Sequence, residues 1–136
     1  MGITGTLEDR EEVRVLHARY CLTIDTGRYD EWVECFSEDG VFESPRFGKF
    51  SGRDGLKKFC AVYKESLGGA KVLHVVANPA FDLDGDNGTG TSYLLYYHCK
   101  VGKVQQSTVG YYTDKLRKTD AGWRFASRQV TILGTF

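Results

Sequence analysis

The half of the chain after residue 70 constrains the fold most. There the hydrophobic pattern changes from a helical to a two-residue period, and four long β segments follow one another with only short turns between them. Lys71 to Leu83 reads as one long strand, bent at Pro79, and Asp84-Gly85-Asp86-Asn87-Gly88 as a turn. Thr91 to Lys100 is the next strand, followed by a turn at Val101-Gly102-Lys103. Val104 to Lys118 continues the series, Thr119-Asp120-Ala121-Gly122 turns the chain again, and Trp123 to Leu133 closes it. Strands joined this tightly pair antiparallel, because a parallel pair needs a crossover of a dozen or more residues.

The first half is mainly helical. Thr6-Leu7-Glu8-Asp9 is similar to a capping box, and Val13, Leu16, Tyr20 and Ile24 then recur at helical spacing. Ala18, Cys21 and Leu22 widen the apolar arc, so more than one side of this helix is expected to be covered. Asp30 is expected to cap a short second helix holding Trp32, Val33, Cys35 and Phe36, with Glu38-Asp39-Gly40 as its end. Val41 to Ser44 and Phe47 to Phe50 read as short strands. A third helix follows Gly52-Arg53-Asp54-Gly55, presents Leu56, Phe59, Cys60, Tyr63 and Leu67, and stops at Gly68-Gly69. Helices followed by hairpin strands define an α+β class with a curved, mainly antiparallel sheet. Three helices cannot fill the whole face of such a sheet, which leaves room for a pocket.

The chain of 136 residues suits a single domain, residues 1–136, with no internal repeat or linker. Its 18 basic and 18 acidic residues balance, which argues against a broad footprint for nucleic acid or an anionic membrane. No apolar run approaches the length that spans a bilayer. The N-terminus lacks the charged and apolar regions of a secretory signal. Cys21, Cys35, Cys60 and Cys99 have neither C-x-x-C nor zinc-ligand spacing, and read as reduced core thiols of a cytoplasmic protein. No metal is expected. The Asp84–Gly88 run lacks the terminal Glu of a calcium loop and is read as a hairpin turn.

Two ionisable residues occupy positions where the pattern asks for core. Asp25 ends the first helix, and His74 lies in the apolar run Val72-Leu73-His74-Val75-Val76. A buried charge is costly alone and tolerable against a partner. A carboxylate facing an imidazole fixes its tautomer and stabilises its cation, which is the equipment of a proton-transfer site. Taken singly, His74 reads as a structural histidine and Asp25 as a turn cap. Asp25 falls about 40° from Cys21 on the helical wheel, so that edge of the helix could look into a space between helix and sheet. Strict alternation on the last strand places Arg124, Ala126, Arg128 and Val130 on one face, and Trp123, Phe125, Ser127 and Gln129 on the other. Arg128 is then a pocket residue or a solvated one. Tyr96 and Tyr97 point to opposite faces, so one of them at most lines the pocket. Trp32 and Phe42 read as pocket or core walls. His17 and His98 have no evident partner and read as structural or exposed.

The ordered series Val13 to Tyr20, Asp25, Gly27 to Trp32, Phe36 to Phe42, Gly52 to Gly55, His74 to Asn78 and Asp120 to Phe125 resembles the SnoaL-like branch of the NTF2-like superfamily over nearly the whole chain. The resemblance implies a cone-shaped α+β barrel with a deep apolar pocket, its sheet covered by three N-terminal helices. It implies chemistry without metal or organic cofactor, and self-association as a dimer or trimer. Within the scytalone dehydratase and hexachlorocyclohexane dehydrochlorinase branch, Asp25 and His74 fall at the positions of the catalytic pair. Arg128 matches the position of an arginine that serves the leaving group. Tyr20 stands where the dehydrochlorinase has lysine or glutamine, a departure that argues against halide elimination.

The expected function is therefore a cofactor-independent lyase, by dehydration or retro-aldol carbon–carbon cleavage, acting on a small hydrophobic, aromatic or polycyclic hydroxylated molecule. His74 is the general base, Asp25 its orienting partner, and Tyr20 or Arg128 the group that assists the leaving oxygen or stabilises an enolate or phenolate. Trp32, Phe42, Tyr96 and Cys21 would contact the substrate. Isomerisation or cyclisation of a polyketide or steroid uses the same base. A non-catalytic ligand-binding domain needs none.

Overall fold

The computed structural model describes residues 2–136. The elements are α1 (Leu7–Asp25), α2 (Tyr29–Val33), β1 (Phe36–Ser44), β2 (Gly48–Ser51), α3 (Gly52–Leu67), β3 (Lys71–Asp84), β4 (Asn87–Lys100), β5 (Lys103–Thr119) and β6 (Gly122–Thr135). They form one six-stranded sheet in the order β2-β1-β6-β5-β4-β3. All pairings are antiparallel except β1 with β6. The curved sheet does not close into a barrel, because β2 and β3 remain as its edges. The expected α+β, NTF2-like architecture is present, and α3 follows the β1–β2 hairpin, the order in which the sequence pattern places it.

Local sequence explains most boundaries. Thr6 caps α1 by accepting the Asp9 backbone N–H at 3.0 Å. Gly68, with φ of 55°, ends α3 in the left-handed conformation that glycine adopts without penalty. The β3–β4 hairpin turns on Gly85-Asp86, and the β4–β5 hairpin on Val101-Gly102. Val101 and Gly102 have φ of 51° and 72°, as a type I′ turn requires.

Two boundaries differ from the pattern. The second helix ends at Val33, not near Gly40, and Arg28 rather than Asp30 occupies its N-cap. Phe36 has joined the sheet beside Phe125, and the Phe125 N–H donates to the Cys35 carbonyl at 2.9 Å. Pairing with β6 supplies hydrogen bonds that a longer helix would forfeit. On α1, Ala18 and Leu22 are exposed, and the buried face is Val13, Leu16, His17, Tyr20, Thr23 and Ile24. One side of this helix is covered, not several.

The core lies between the concave face of the sheet and the three helices. It is strongly aromatic. Trp32 packs on Phe36, Phe42 and Phe59 with ring centroids 4.9, 5.6 and 5.3 Å apart. Trp123 fixes the start of β6 to α1: its backbone N–H donates to Glu12 Oε1 at 2.7 Å and its indole N–H to Asp9 Oδ1 at 3.0 Å. At the other end of the same helix, Asp25 reaches β3. These two ties set α1 across the sheet and define the cavity beneath it.

Candidate active site

A cavity with about 630 Å³ of atom-free space, counting the part open at its mouth, lies between helices and sheet. Its walls come from α1 (Tyr20, Ile24), α2 (Trp32), α3 (Phe59, Tyr63), β1 (Phe42, Ser44) and the inner face of β3 to β6 (His74, Leu94, Tyr96, Thr108, Tyr112, Val130, Ile132). Pro45, Arg46 and Phe47 complete the lining. Most of this surface is aromatic or aliphatic, which suits a flat, apolar ligand body.

Asp25 and His74 meet at this wall. His74 Nδ1 lies 2.6 Å from Asp25 Oδ1, and the His74 backbone N–H donates to Asp25 Oδ2 at 2.9 Å. The carboxylate stands at the C-terminal end of α1, where the helix dipole disfavours negative charge. Two donors from one residue of β3 offset that cost. With neutral imidazole, Asp25 selects the tautomer with hydrogen on Nδ1. Nε2 then carries the free lone pair, and His74 is the member of the pair that lines the cavity. Tyr96 lies beside it, 4.5 Å between ring centroids.

Arg128 does not line the cavity. It is 0 % exposed, donates to both Asp114 oxygens at 2.8 and 3.0 Å, and places Nη2 3.0 Å from His17 Nδ1. The guanidinium lies against the rings of Tyr112, Phe125 and Tyr20, at 3.7, 4.1 and 4.4 Å. Burial pulls against its charge, but the Asp114 carboxylate outweighs that and holds its pKa above the ordinary arginine value. Neither the pocket position nor the solvated position expected for it is what the structure shows. β6 also carries a bulge, which turns Phe125 to the same side as Arg128 and Val130. Leu116 pairs with Phe125 and Lys115 with Ser127, so Ala126 is unpaired and the alternation reverses. Trp123, Phe125, Arg128 and Val130 are consequently all buried.

The other expected contacts divide. Tyr20, Trp32, Phe42 and Tyr96 line the cavity, and Cys21 does not. Cys21 turns one position away from Tyr20 on α1, and burial pushes its thiol up to about 12 despite the nearby Arg128 charge. All four cysteines are free. Burial raises the Tyr20 phenol as well, against the pull of Arg128, so Tyr20 is a hydrogen-bond donor and a poor acid.

Several contributors were not legible in the pattern. Of the two alternatives open for His17, structural or exposed, the structure shows the first: it is buried, and its partner Arg128 is 111 residues away in the chain. Burial first, and the Arg128 charge second, lower its pKa to about 3, so it is a neutral acceptor. Asp114 looks like an ordinary β-strand surface residue in sequence. Tyr63 was one of several apolar-face residues of α3, and its only distinguishing signal was a hydroxyl in an otherwise hydrocarbon row. Among the described residues no group of three or more His, Cys, Asp or Glu side chains is arranged to hold a metal ion. No helix is long and apolar enough to cross a membrane.

The open curved sheet and the helices across it define the NTF2-like class. The chain belongs to the SnoaL-like domain family, which it matches over residues 5–129. This branch of the superfamily includes polyketide cyclases and dehydratases. A curated relative is the uncharacterized protein Rv2910c of Mycobacterium tuberculosis, 27% identical over 130 residues, covering 92% of this chain and 86% of the relative. Among solved structures, a substituted form of Rv3472, a function-unknown protein of Mycobacterium tuberculosis, is 29% identical with a TM-score of 0.85, covering 93% of this chain and 77% of that one. An NTF2-like protein with a cystatin-like fold from Novosphingobium aromaticivorans is 28% identical with a TM-score of 0.85, covering 93% and 83%.

Proposed function

We propose that this protein is a cofactor-independent lyase that removes a proton from a small, hydrophobic, aromatic or polycyclic hydroxylated molecule and expels water or cleaves a carbon–carbon bond. The observation that carries the reading is the Asp25–His74 contact of 2.6 Å with His74 on the cavity wall. His74 Nε2 takes the proton. Asp25 holds the ring by Nδ1 and stabilises the imidazolium as it forms. In dehydration the imidazolium then returns the proton to the departing hydroxyl oxygen; in carbon–carbon cleavage the proton taken is that of the hydroxyl, whose oxygen becomes a carbonyl, and it is returned to the carbon that leaves with the bonding pair. Base catalysis of this kind supplies about 10²- to 10⁴-fold, and positioning of a flat substrate between Trp32, Phe42 and Tyr96 supplies the rest. Returning the proton to another carbon would make the same site an isomerase.

The reading includes a reducing, cytoplasmic setting, supported by four free thiols in one small chain. It also includes self-association. The outer face of the sheet carries Leu73 on β3 (53 % exposed), Tyr93 on β4 (56 %) and Leu133 on β6 (70 %), an apolar surface of the kind that pairs with another protein.

A panel of hydroxylated bicyclic and tricyclic aryl ketones, incubated with the protein and followed by mass spectrometry, tests the reaction class. Loss of water from at least one member, abolished by His74→Ala in a protein of unchanged melting temperature, is the expected result. Saturable binding of panel members without conversion would assign the chain to ligand binding instead.

A further inference from the structure

Tyr63 on α3 and Tyr96 on β4 bring their hydroxyl oxygens within 2.6 Å of each other inside the cavity. Both side chains are buried. Their rings lie 6.4 and 4.5 Å from the His74 ring, so the phenol pair and the histidine share one wall. A phenol has one proton to donate. When one member of the pair donates to the other, a second O–H remains unengaged, and neither hydroxyl makes another hydrogen bond to protein among the described residues. Either hydroxyl can be the donor within the pair. Tyr96 is the member nearer the His74 ring, at 4.5 Å against 6.4 Å, so the arrangement that serves the base is the one in which Tyr63 donates to Tyr96 and the Tyr96 proton is free for the cavity.

We propose that Tyr96, backed by Tyr63, is the hydrogen-bond donor that receives the negative oxygen formed when His74 removes a proton, and that the substrate accordingly carries a carbonyl group next to the carbon that loses it. The inference rests on His74 as the base. As the C–H bond breaks, its electron pair forms the carbon–carbon double bond of an enolate. The carbonyl π pair moves to oxygen, and the proton resides on His74 Nε2. Tyr96 donates to the enolate oxygen without releasing its proton. Donation from Tyr63 polarises the Tyr96 hydroxyl and strengthens its bond to an anion. Among the expected site residues, Tyr20 and Arg128 had been the candidates for this task. Arg128 is sealed behind the wall, its Nε and Nη2 held by Asp114 and His17 and its Nη1 buried without a partner, and Tyr96 adjoins the base.

The test uses para-nitrophenol as the probe, whose absorbance reports ionisation, and para-nitroanisole as its non-ionising counterpart. Affinities for both are measured in wild type, Tyr96→Phe and Tyr63→Phe, and again in a His74→Ala background. Phenylalanine keeps the ring packing, and melting temperature checks the fold. Wild type should favour the ionised phenol. Tyr96→Phe should weaken nitrophenolate binding about 10- to 100-fold, as loss of a hydrogen bond to a charged group does, and leave nitroanisole unchanged. Tyr63→Phe should give a smaller loss in the same direction, and both patterns should persist without His74. Equal loss for both ligands, or loss for neither, would make the pair a structural clasp and overturn the proposal. If His74→Ala alone abolishes the preference, the anion sits on the imidazolium and the proposal fails while the base survives. If the Tyr96 effect appears but His74→Ala leaves proton abstraction intact, the donor stands and the base does not.

Discussion

Among single residues, Arg128 shows how burial changes the meaning of a charge. Its guanidinium is sealed between aromatic rings with Asp114 and His17 as partners. Breaking such a pair by removing one partner typically costs about 3–5 kcal/mol, since the remaining charge is stranded. Its contribution to the site is to hold the wall that Tyr20 and Tyr112 form. His17 adds a pH dependence to this network. Its folded pKa of about 3 lies below the unfolded value of roughly 6.5. The unfolded chain therefore binds a proton that the folded chain refuses between those values. The contribution to stability is complete above about pH 6.5 and is lost progressively as pH falls toward 3. His17→Asn offers Arg128 a non-titrating acceptor in place of Nδ1. Melting temperature followed from pH 7 to pH 4 should fall less steeply for this variant than for wild type. Parallel curves would show that His17 is already protonated in the fold.

At the level of elements, the bulges decide which residues face the cavity. Hydrophobic period was sufficient to read the strands, the caps of α1 and α3, and the placement of Asp25 and His74, both half-buried, inside apolar stretches. It was not sufficient for β6, because one unpaired residue, Ala126, reverses every later side chain. Nor could it pair His17 or Asp114 with Arg128, since those contacts exist only once β5, β6 and α1 are packed. The second β5–β6 shift, between Val109 and Gly110, depends on a residue without a side chain. A Cβ at Gly110 would stand 2.0 Å from the Thr131 carbonyl oxygen. Gly110→Ala must therefore displace backbone, at a cost of about 1–3 kcal/mol or more. The denaturant midpoint should drop accordingly, and Thr108, Tyr112 and Val130 should shift at the cavity wall. An unchanged midpoint would mean that the close approach is relieved without cost.

At the scale of the whole molecule, the sheet has two apolar faces. The concave face closes the cavity, and the outer face exposes Leu73, Tyr93 and Leu133. Sedimentation should show a dimer or trimer, and the double substitution Leu73→Glu, Tyr93→Glu should yield monomers that retain the fold. A wild-type monomer across the micromolar range would remove the need for a partner on that face.

In the proposed mechanism His74, oriented by Asp25, abstracts a proton from carbon. Exchange of the α-hydrogens of a bicyclic aryl ketone such as α-tetralone into deuterium oxide, followed by proton NMR, tests it without knowledge of the natural substrate. Wild type should accelerate exchange well above buffer. His74→Ala should lose about 10²- to 10⁴-fold of that acceleration, and Asp25→Asn should also lose most of it, with both variants still folded. Exchange at the wild-type rate in folded His74→Ala would contradict the account and leave the cavity as a binding site without its base.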